Sequence, residues 1–341
     1  MFYDEIKKYD WDSTTQSIMA KTDDDVRRAL GKQRCDIDDF MALISPAAEK
    51  YLEQMARLSR KITRERFGKT ISMFIPVYIS NSCANSCVYC GFHVQNKMKR
   101  TVLNEEQIIA EYEAIKRLGP FDSILVLTGE NPTVASVEYI GRALELAKPY
   151  FNNLQVEVMP LSTDDYSFLR DKGLNGVVCF QETYNVKNYK NYHPRGPKSD
   201  YQWRVNGYDR MGMAGVHKIG MGVLIGLEDW RTDATMLARH LRYMEKTYWR
   251  TQYSVNFPRM RCAENGGFQP NTVMSDRELA QLTFAIRIFD HDVDISYSTR
   301  ETATVCRRKS AKVSGNPSPQ GKTLGKSKRC KSQDKRQQNS A

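Results

Sequence analysis

The chain has 341 residues, 40% hydrophobic and 27% charged, with eight cysteines and a net charge of +11. That length buries a sizeable core as one large domain or two ordinary ones, and no apolar run reaches the roughly 18 residues of a membrane span. The start, MFYDEIKKYDWD, has no apolar signal-peptide core, so a cytoplasmic, reducing setting is expected, in which clustered cysteines point to metal rather than to disulfides.

Residues 1–40 are polar and carry only weak helical hints. Ser45 and Pro46 then read as an N-cap followed by proline at the first helical position. Leu52, Met55, Ala56, Leu58 and Ile62 follow at helical spacing up to Gly68. From residue 71 a different rhythm begins. A strand at about 73–80 runs into Cys83, Cys87 and Cys90, and Asn104 and Gln107 frame a capping box that opens a helix. Strands follow at 123–128, 154–159, 176–181, 219–225, 252–257 and 293–298, separated by amphipathic helices; Ser275 and Glu278 frame a second capping box. Short apolar strands alternating with helices predict a parallel sheet with helical crossovers. Seven such units point to a (β/α)8-type barrel over 71–301, preceded by a helical extension over 1–70.

The eighth strand that would close such a barrel is not legible. Residues 302–341 hold eleven Lys/Arg against the single acid Asp334 and no aromatic residue. A segment of this kind cannot bury enough surface to offset its ordering entropy, so it reads as a disordered basic tail or as a frameshifted C-terminus. It also accounts for most of the net charge: the other 301 residues carry 40 Lys/Arg against 39 Asp/Glu. A nucleic-acid argument therefore rests on the tail alone, which lacks interleaved aromatic residues to stack on bases.

The chemistry concentrates at the C-terminal ends of the strands, where barrel enzymes place their active sites. Cys83, Cys87 and Cys90 lie within eight residues in a C-x3-C-x2-C spacing. Closely spaced thiolates hold iron–sulfur clusters, and three ligands on a four-iron cube leave one iron open for a small molecule. The alternative is a structural zinc site completed by His93, although such sites usually bring two separated ligand pairs. Gly129 and Glu130 end the second strand, where Glu130 could accept a ligand's ammonium group. Glu182 ends the fourth strand, and with Arg204 it forms either a structural ion pair or a clamp on a zwitterionic ligand. Gly220, Gly222 and Gly226 mark a close approach of either a side chain or a ligand. Arg300, after the seventh strand, sits where a substrate carboxylate or a rim salt bridge would be.

These residues together resemble the radical SAM superfamily. The three-cysteine spacing with an aromatic, Tyr89, before the last cysteine is that superfamily's signature. The stretches CANSCVYCGF, LVLTGENP, VVCFQETYN, HPRGPKSDYQWR and SYSTRE are similar, more narrowly, to its aromatic amino-acid lyases, above all the tyrosine lyases of thiamine thiazole biosynthesis. The resemblance runs from about residue 45 to residue 301. The hydrogenase-maturation tyrosine lyases are also similar, but have a longer C-terminal region with a second cysteine cluster; Arg261-Cys262-Ala263 departs from the proline expected after this arginine.

The resemblance implies a [4Fe–4S] cluster on Cys83, Cys87 and Cys90, and S-adenosylmethionine held by Tyr89, Gly129, Glu130, Glu182 and Arg204, with Arg300 toward the substrate. It implies one-electron cleavage of S-adenosylmethionine to a 5′-deoxyadenosyl radical, supplied by a flavodoxin or ferredoxin. Scission of the Cα–Cβ bond of L-tyrosine to 2-iminoacetate and p-cresol would follow, with a thiazole synthase as partner protein. A hydrogenase-maturation type of tyrosine lyase, an inactive truncated member of the family, and a nucleic-acid binder acting through its tail stand as the competing expectations.

Overall fold

The computed structural model describes residues 1–261, 268–297 and 301. Among these, seven strands form one sheet: β1 (Phe74–Ser80), β2 (Ser123–Thr128), β3 (Asn153–Glu157), β4 (Gly176–Glu182), β5 (Lys218–Val223), β6 (Gln252–Asn256) and β7 (Asp294–Ser296). They pair in sequence order and every neighbouring pair is parallel. The sheet curls into a half-barrel whose edge strands are β1 and β7. The expected strands are all present, with ends displaced by at most two residues. The expected absence of a closing strand and the basic tail concern residues 302–341, which lie outside the described residues, as do Cys262, Cys306, Cys330 and Arg300.

The ladders show why these sequences make strands. One set of alternate residues is apolar and buried: Val77 and Ile79, Ile124 and Val126, Leu154 and Val156, Val177 and Cys179, Ile219 and Met221, and Val255. This is the face that the helices cover. The opposite set carries polar or small residues, including Gln155, Glu157, Gly220, Gly222, Ser254 and Asn256, and lines the concave side. The period of two thus separates a greasy outer layer from a chemically varied lumen. Two of the three ambiguous glycines are explained by packing: a Cβ on Gly222 would stand 2.5 Å from Cδ1 of Phe180, and one on Gly220 would stand 2.9 Å from Cγ2 of Val178. Side chains of β4 lean across β5 there, and only glycine leaves the space.

The sequence is more helical at its start than its composition implies. Helices α1 (Phe2–Ile6), α2 (Trp11–Met19), α3 (Asp23–Gly31) and α4 (Ile37–Ile44) fill the first 44 residues. Thr22 with Asp25, and Asp36 with Asp39, form complete capping boxes. Aspartate replaces the usual Glu/Gln at the third position, which hides the pattern. Ser45 and Pro46 take the expected N-cap and first helical positions, but of a 3-10 helix (Pro46–Tyr51), and Ser45 Oγ donates to Ala42 O at 2.8 Å instead of capping it; α5 (Leu52–Phe67) follows and stops at Gly68 with φ +62°. Phe2, Ile18, Val26, Phe40 and Ile44 join the same hydrophobic core as the barrel, so tertiary burial, not propensity, fixes these short helices.

The crossovers are α6 (Glu105–Leu118), α7 (Val137–Ala147), α8 (Thr163–Asp171), α9 (Val186–Tyr192), α10 (Tyr201–Val205), α11 (Gly207–Met213), α12 (Trp230–Thr247) and α13 (Asp276–Phe289). The β4–β5 crossover holds three of them, α9 to α11, where the sequence shows only a polar loop. The pairing registers of β1 and β4 shift at their C-terminal ends, between Tyr78 and Ser80 and between Phe180 and Glu182. Irregularities of this kind re-aim a chain next to a site, and these two strands deliver the cysteine loop and Glu182.

Candidate active site

The cysteine loop leaves β1 and is anchored on three sides. Gly129 N donates to Ser80 O at 2.9 Å and Ala84 N to Glu130 O at 3.0 Å, tying it to the end of β2. Ser86 N donates to Arg195 O at 3.0 Å and Val88 N to Tyr192 O at 3.1 Å, tying it to the β4–β5 crossover. Arg100 closes the loop on itself, its guanidinium donating to the carbonyls of Asn81, Phe92, His93 and Asn96. Two glycines let these segments touch. A Cβ on Gly129 would stand 2.1 Å from Ser82 O, and one on Gly196, which has φ +94°, would stand 2.4 Å from Oδ1 of Asn85. Both contacts are too close for any other residue.

Cys83, Cys87 and Cys90 are free thiols on this loop, Cys87 buried and the other two half-buried. Burial pushes the Cys87 thiol up to about 12 and raises Cys90. Such thiols ionise when a metal takes the proton's place. Among the described residues no three His, Cys, Asp or Glu side chains converge on a single metal ion, as a zinc site needs; His93 instead places Nδ1 at 3.2 Å from Oε1 of Gln95. A four-iron cube puts each thiolate on a different iron, and three unpaired thiols on one pinned loop suit that group. The other described cysteines stand apart: Cys35, between α3 and α4, is buried with its Sγ donating to Ala29 O at 3.6 Å, and Cys179 lies on the helix-facing side of β4 with its carbonyl accepting from Tyr208 Oη.

Beside the loop lies a buried quartet of charges. Arg204, on α10, donates from Nη1 to Oε1 of Glu130 at 2.9 Å and from Nε to Phe180 O at 2.7 Å. Lys198 donates to Oε1 of Glu182 at 2.7 Å and stands 3.8 Å from Oε1 of Glu130. Asn85, from the cysteine loop, donates to Oε2 of Glu130 at 2.8 Å and accepts the Lys198 backbone N–H at 2.9 Å. Glu182 and Arg204 are therefore neighbours at 3.8 Å, but the close partners are Arg204 with Glu130 and Lys198 with Glu182. Glu182 is the only non-glycine with positive φ (72°) among the described residues. Backbone of this kind costs about 1–3 kcal/mol and clusters at functional sites. It is fixed here by Asp233, whose Oδ1 accepts from Thr183 Oγ1 at 3.0 Å and Tyr184 N at 2.7 Å.

Glu130, Lys198 and Arg204 stay charged. Burial raises the Glu130 carboxyl, but Arg204 and Lys198 outweigh it and hold the group at about 2. Burial and Arg204 push Lys198 down, while Glu182, Tyr89 and Glu130 more than compensate and leave it well above its ordinary value. Two carboxylates facing two cations make a site with no net charge and strong local fields, which suits a zwitterion carrying both signs.

Tyr89, between Cys87 and Cys90, donates to Nε2 of His193 at 2.8 Å, and His193 Nδ1 donates to Tyr189 O at 2.9 Å. Burial first, then the repulsion of Lys198 and Arg204, hold His193 down at about 2, so the neutral ring is a permanent acceptor for the Tyr89 hydroxyl. The sequence offers Lys198 and His193 only within the stretch HPRGPKSDYQWR, with no role for either, and Asn85 and Arg100 carry no expectation. Asn85, within the cysteine run itself, was the available signal.

Neutral His193 has a consequence for stability. The unfolded chain protonates this histidine below its ordinary 6.5 and the folded chain does not, and fully buried His240, also held down by desolvation, behaves alike. At each of these rings the unfolded state binds more protons, so the ring's contribution to stability falls as pH drops below 6.5, approaching about 1.4 kcal/mol per pH unit. Between pH 6.5 and pH 5.5 the parent is expected to lose about 1 kcal/mol more stability in urea unfolding than His193→Gln, which lacks one of the rings.

Three free thiols on one loop, pinned against a buried quartet of charges, make up the candidate site. Residues 77–238 match the radical SAM superfamily. The chain is 44% identical over 302 residues to the 2-iminoacetate synthase of Escherichia coli (strain K12), covering 88% of this chain and 80% of that protein. The chain belongs to the 2-iminoacetate synthase family of radical SAM proteins. Its cofactors are accordingly a [4Fe–4S] cluster and S-adenosylmethionine. Among solved structures it is similar to HydG, a maturase of the [FeFe]-hydrogenase, with a TM-score of 0.82 and 26% identity over 89% of this chain and 69% of that one. The HydG of Carboxydothermus hydrogenoformans gives a TM-score of 0.79 at 26% identity, covering 91% of this chain and 71% of that one.

Proposed function

We propose that this protein is a radical SAM tyrosine lyase that cleaves the Cα–Cβ bond of L-tyrosine to 2-iminoacetate and p-cresol, for the thiazole moiety of thiamine. The observation that carries the reading is the 44% identity to a 2-iminoacetate synthase across 88% of the chain. The cluster, on Cys83, Cys87 and Cys90, supplies reductive cleavage of S-adenosylmethionine when bound. The chain's own residues bind, orient and shield. Glu130 and Glu182 would accept the ammonium and hydroxyl groups of S-adenosylmethionine, Arg204 would attract its carboxylate, Gly129 would let the β2 end approach, and Tyr89, locked by His193, would flank the cofactor. Arg300, the expected anchor of the tyrosine carboxylate, lies outside the described residues and keeps that role as part of the proposal. Burial of the quartet keeps water from the radical chemistry.

The same reading assigns residues 1–70 as a helical extension, 71–301 as the catalytic barrel and 302–341 as a basic tail. It makes a flavodoxin or ferredoxin the electron donor, a thiazole synthase the acceptor of the product and the cytoplasm the compartment. No helix among the described residues is long and apolar enough to cross a membrane. The similarity to HydG favours, as a second reading, a hydrogenase-maturation type of tyrosine lyase. Product analysis after anaerobic reconstitution decides: p-cresol and glyoxylate, the hydrolysis product of 2-iminoacetate, are expected in equal amounts from tyrosine. Cleavage of S-adenosylmethionine without p-cresol refutes both readings.

A further inference from the structure

The electron that cleaves S-adenosylmethionine has to enter near the thiol loop, and the surface there has a charge pattern unlike the rest of the described residues. No Asp or Glu lies between Glu65 and Glu105, and none lies between Glu182 and Asp200. These two acid-free stretches are distant in sequence yet joined over the cysteines, through Ser86 to Arg195, Val88 to Tyr192 and Asn85 to Lys198. Lys97, Lys99, Lys190 and Arg195 are exposed on them, and none of the four pairs with a carboxylate among the described residues. The cysteine stretch also exposes two aliphatic side chains, Val88 at 37% and Val94 at 52%. Val94 N donates to Asn85 O at 2.8 Å, so both valines ride on the segment that carries the thiols.

Elsewhere the described surface mixes signs, with cations paired to neighbouring acids along α3, α5 and α7. Unpaired cations beside exposed aliphatic groups have the composition of a recognition surface, in which charge guides approach and apolar contact holds the complex.

On the functional reading above, we infer that this face docks a small acidic protein carrying a one-electron redox group. The exchange transfers one electron: the donor's reduced flavin or iron–sulfur centre is oxidised by one, the oxidised cluster is reduced by one, and no bond or proton moves. Lys97, Lys99, Lys190 and Arg195 attract the donor's carboxylates, and Val88 and Val94 give the contact its dry centre. The inward-turned cations Arg100 and Lys198 belong to the loop and the quartet and take no part in docking.

The test uses the reconstituted full-length chain with p-cresol formation driven by reduced flavodoxin or, separately, by dithionite, which needs no docking surface. The triple variant Lys97→Glu, Lys99→Glu, Arg195→Glu is expected to lose about 10-fold or more of the flavodoxin-driven rate at low ionic strength and none of the dithionite-driven rate. The parent's flavodoxin-driven rate falls as salt rises, and the variant's responds weakly. A control reversing Arg57 and Lys61 on α5 is expected to match the parent with both reductants. Equal losses with both reductants, or an equal loss in the control, overturns the docking face. So does salt-sensitive flavodoxin-driven turnover that the triple variant leaves intact, which would move recognition to another basic segment. Absence of p-cresol with either reductant counts against the lyase reading instead. Docking is then read from the rate at which flavodoxin bleaches the cluster absorbance, where the same contrast between variants is expected.

Discussion

A Cys87→Ala chain is expected to leave anaerobic reconstitution without cluster absorbance, its iron content falling from about four per chain to near zero. Lyase turnover should fall by well over 100-fold, since even an outer-shell partner of a metal site is worth 10–100-fold. Cys87 is the most buried of the three loop thiols, and its neighbours Ser86 and Val88 are hydrogen-bonded into the β4–β5 crossover. The loop therefore has little freedom to bring another donor into its place. Cys179→Ala is the matched control. That thiol is buried but lies on the helix-facing side of β4, so the variant should retain its iron and lose only about 1 kcal/mol of stability. Retention of four irons by Cys87→Ala, or equal iron loss in both variants, would remove the loop from the cluster assignment.

How much of this was legible in the sequence depended on the range of the interaction. The strands were readable because alternate apolar residues have to meet the helical layer, and Gly129-Glu130 and Glu182 were readable because they end such strands. The cysteine spacing is a local pattern and required no fold at all. Arg204 was legible as a charge near the mouth, but its partner was not. Glu182 is nearer in sequence, whereas the close contact is Glu130 at 2.9 Å, brought in by the curvature of the sheet. Lys198 and Asn85 were obscure for a related reason: a lysine in a polar loop and an asparagine between cysteines look solvated until β2, β4 and the crossover are stacked together. The first 44 residues were under-read because their helices owe their stability to Phe2, Ile18 and Phe40 reaching a distant core. Glu182 could not have been singled out as strained, since a positive φ is imposed by Asp233 from α12, fifty residues away.

Arg204 offers the second large effect, and one that separates pairing from ligand binding. Arg204→Ala leaves the Glu130 carboxylate buried with only Asn85 and a lysine at 3.8 Å to answer it. Breaking one side of a buried ion pair costs about 3–5 kcal/mol, and this variant should lose that much in urea unfolding at pH 7. The pH dependence identifies the cause. In the parent the folded carboxyl sits at about 2 against an ordinary 4.5, so its contribution is fully present above about 4.5 and is lost as pH falls toward 2. Without the guanidinium, burial pushes the carboxyl upward, and protonation then relieves the buried charge. The penalty of the variant relative to the parent is therefore largest at neutral pH and shrinks in acid. The double variant Arg204→Met, Glu130→Gln removes both charges at similar volume and should recover most of the lost stability. It should not recover binding of S-adenosylmethionine, measured by calorimetry on the reconstituted protein, because the groups that face a zwitterion are gone. Recovery of both properties in the double variant would make the pair a structural element only; recovery of stability alone leaves Glu130 and Arg204 as the pair that holds the cofactor.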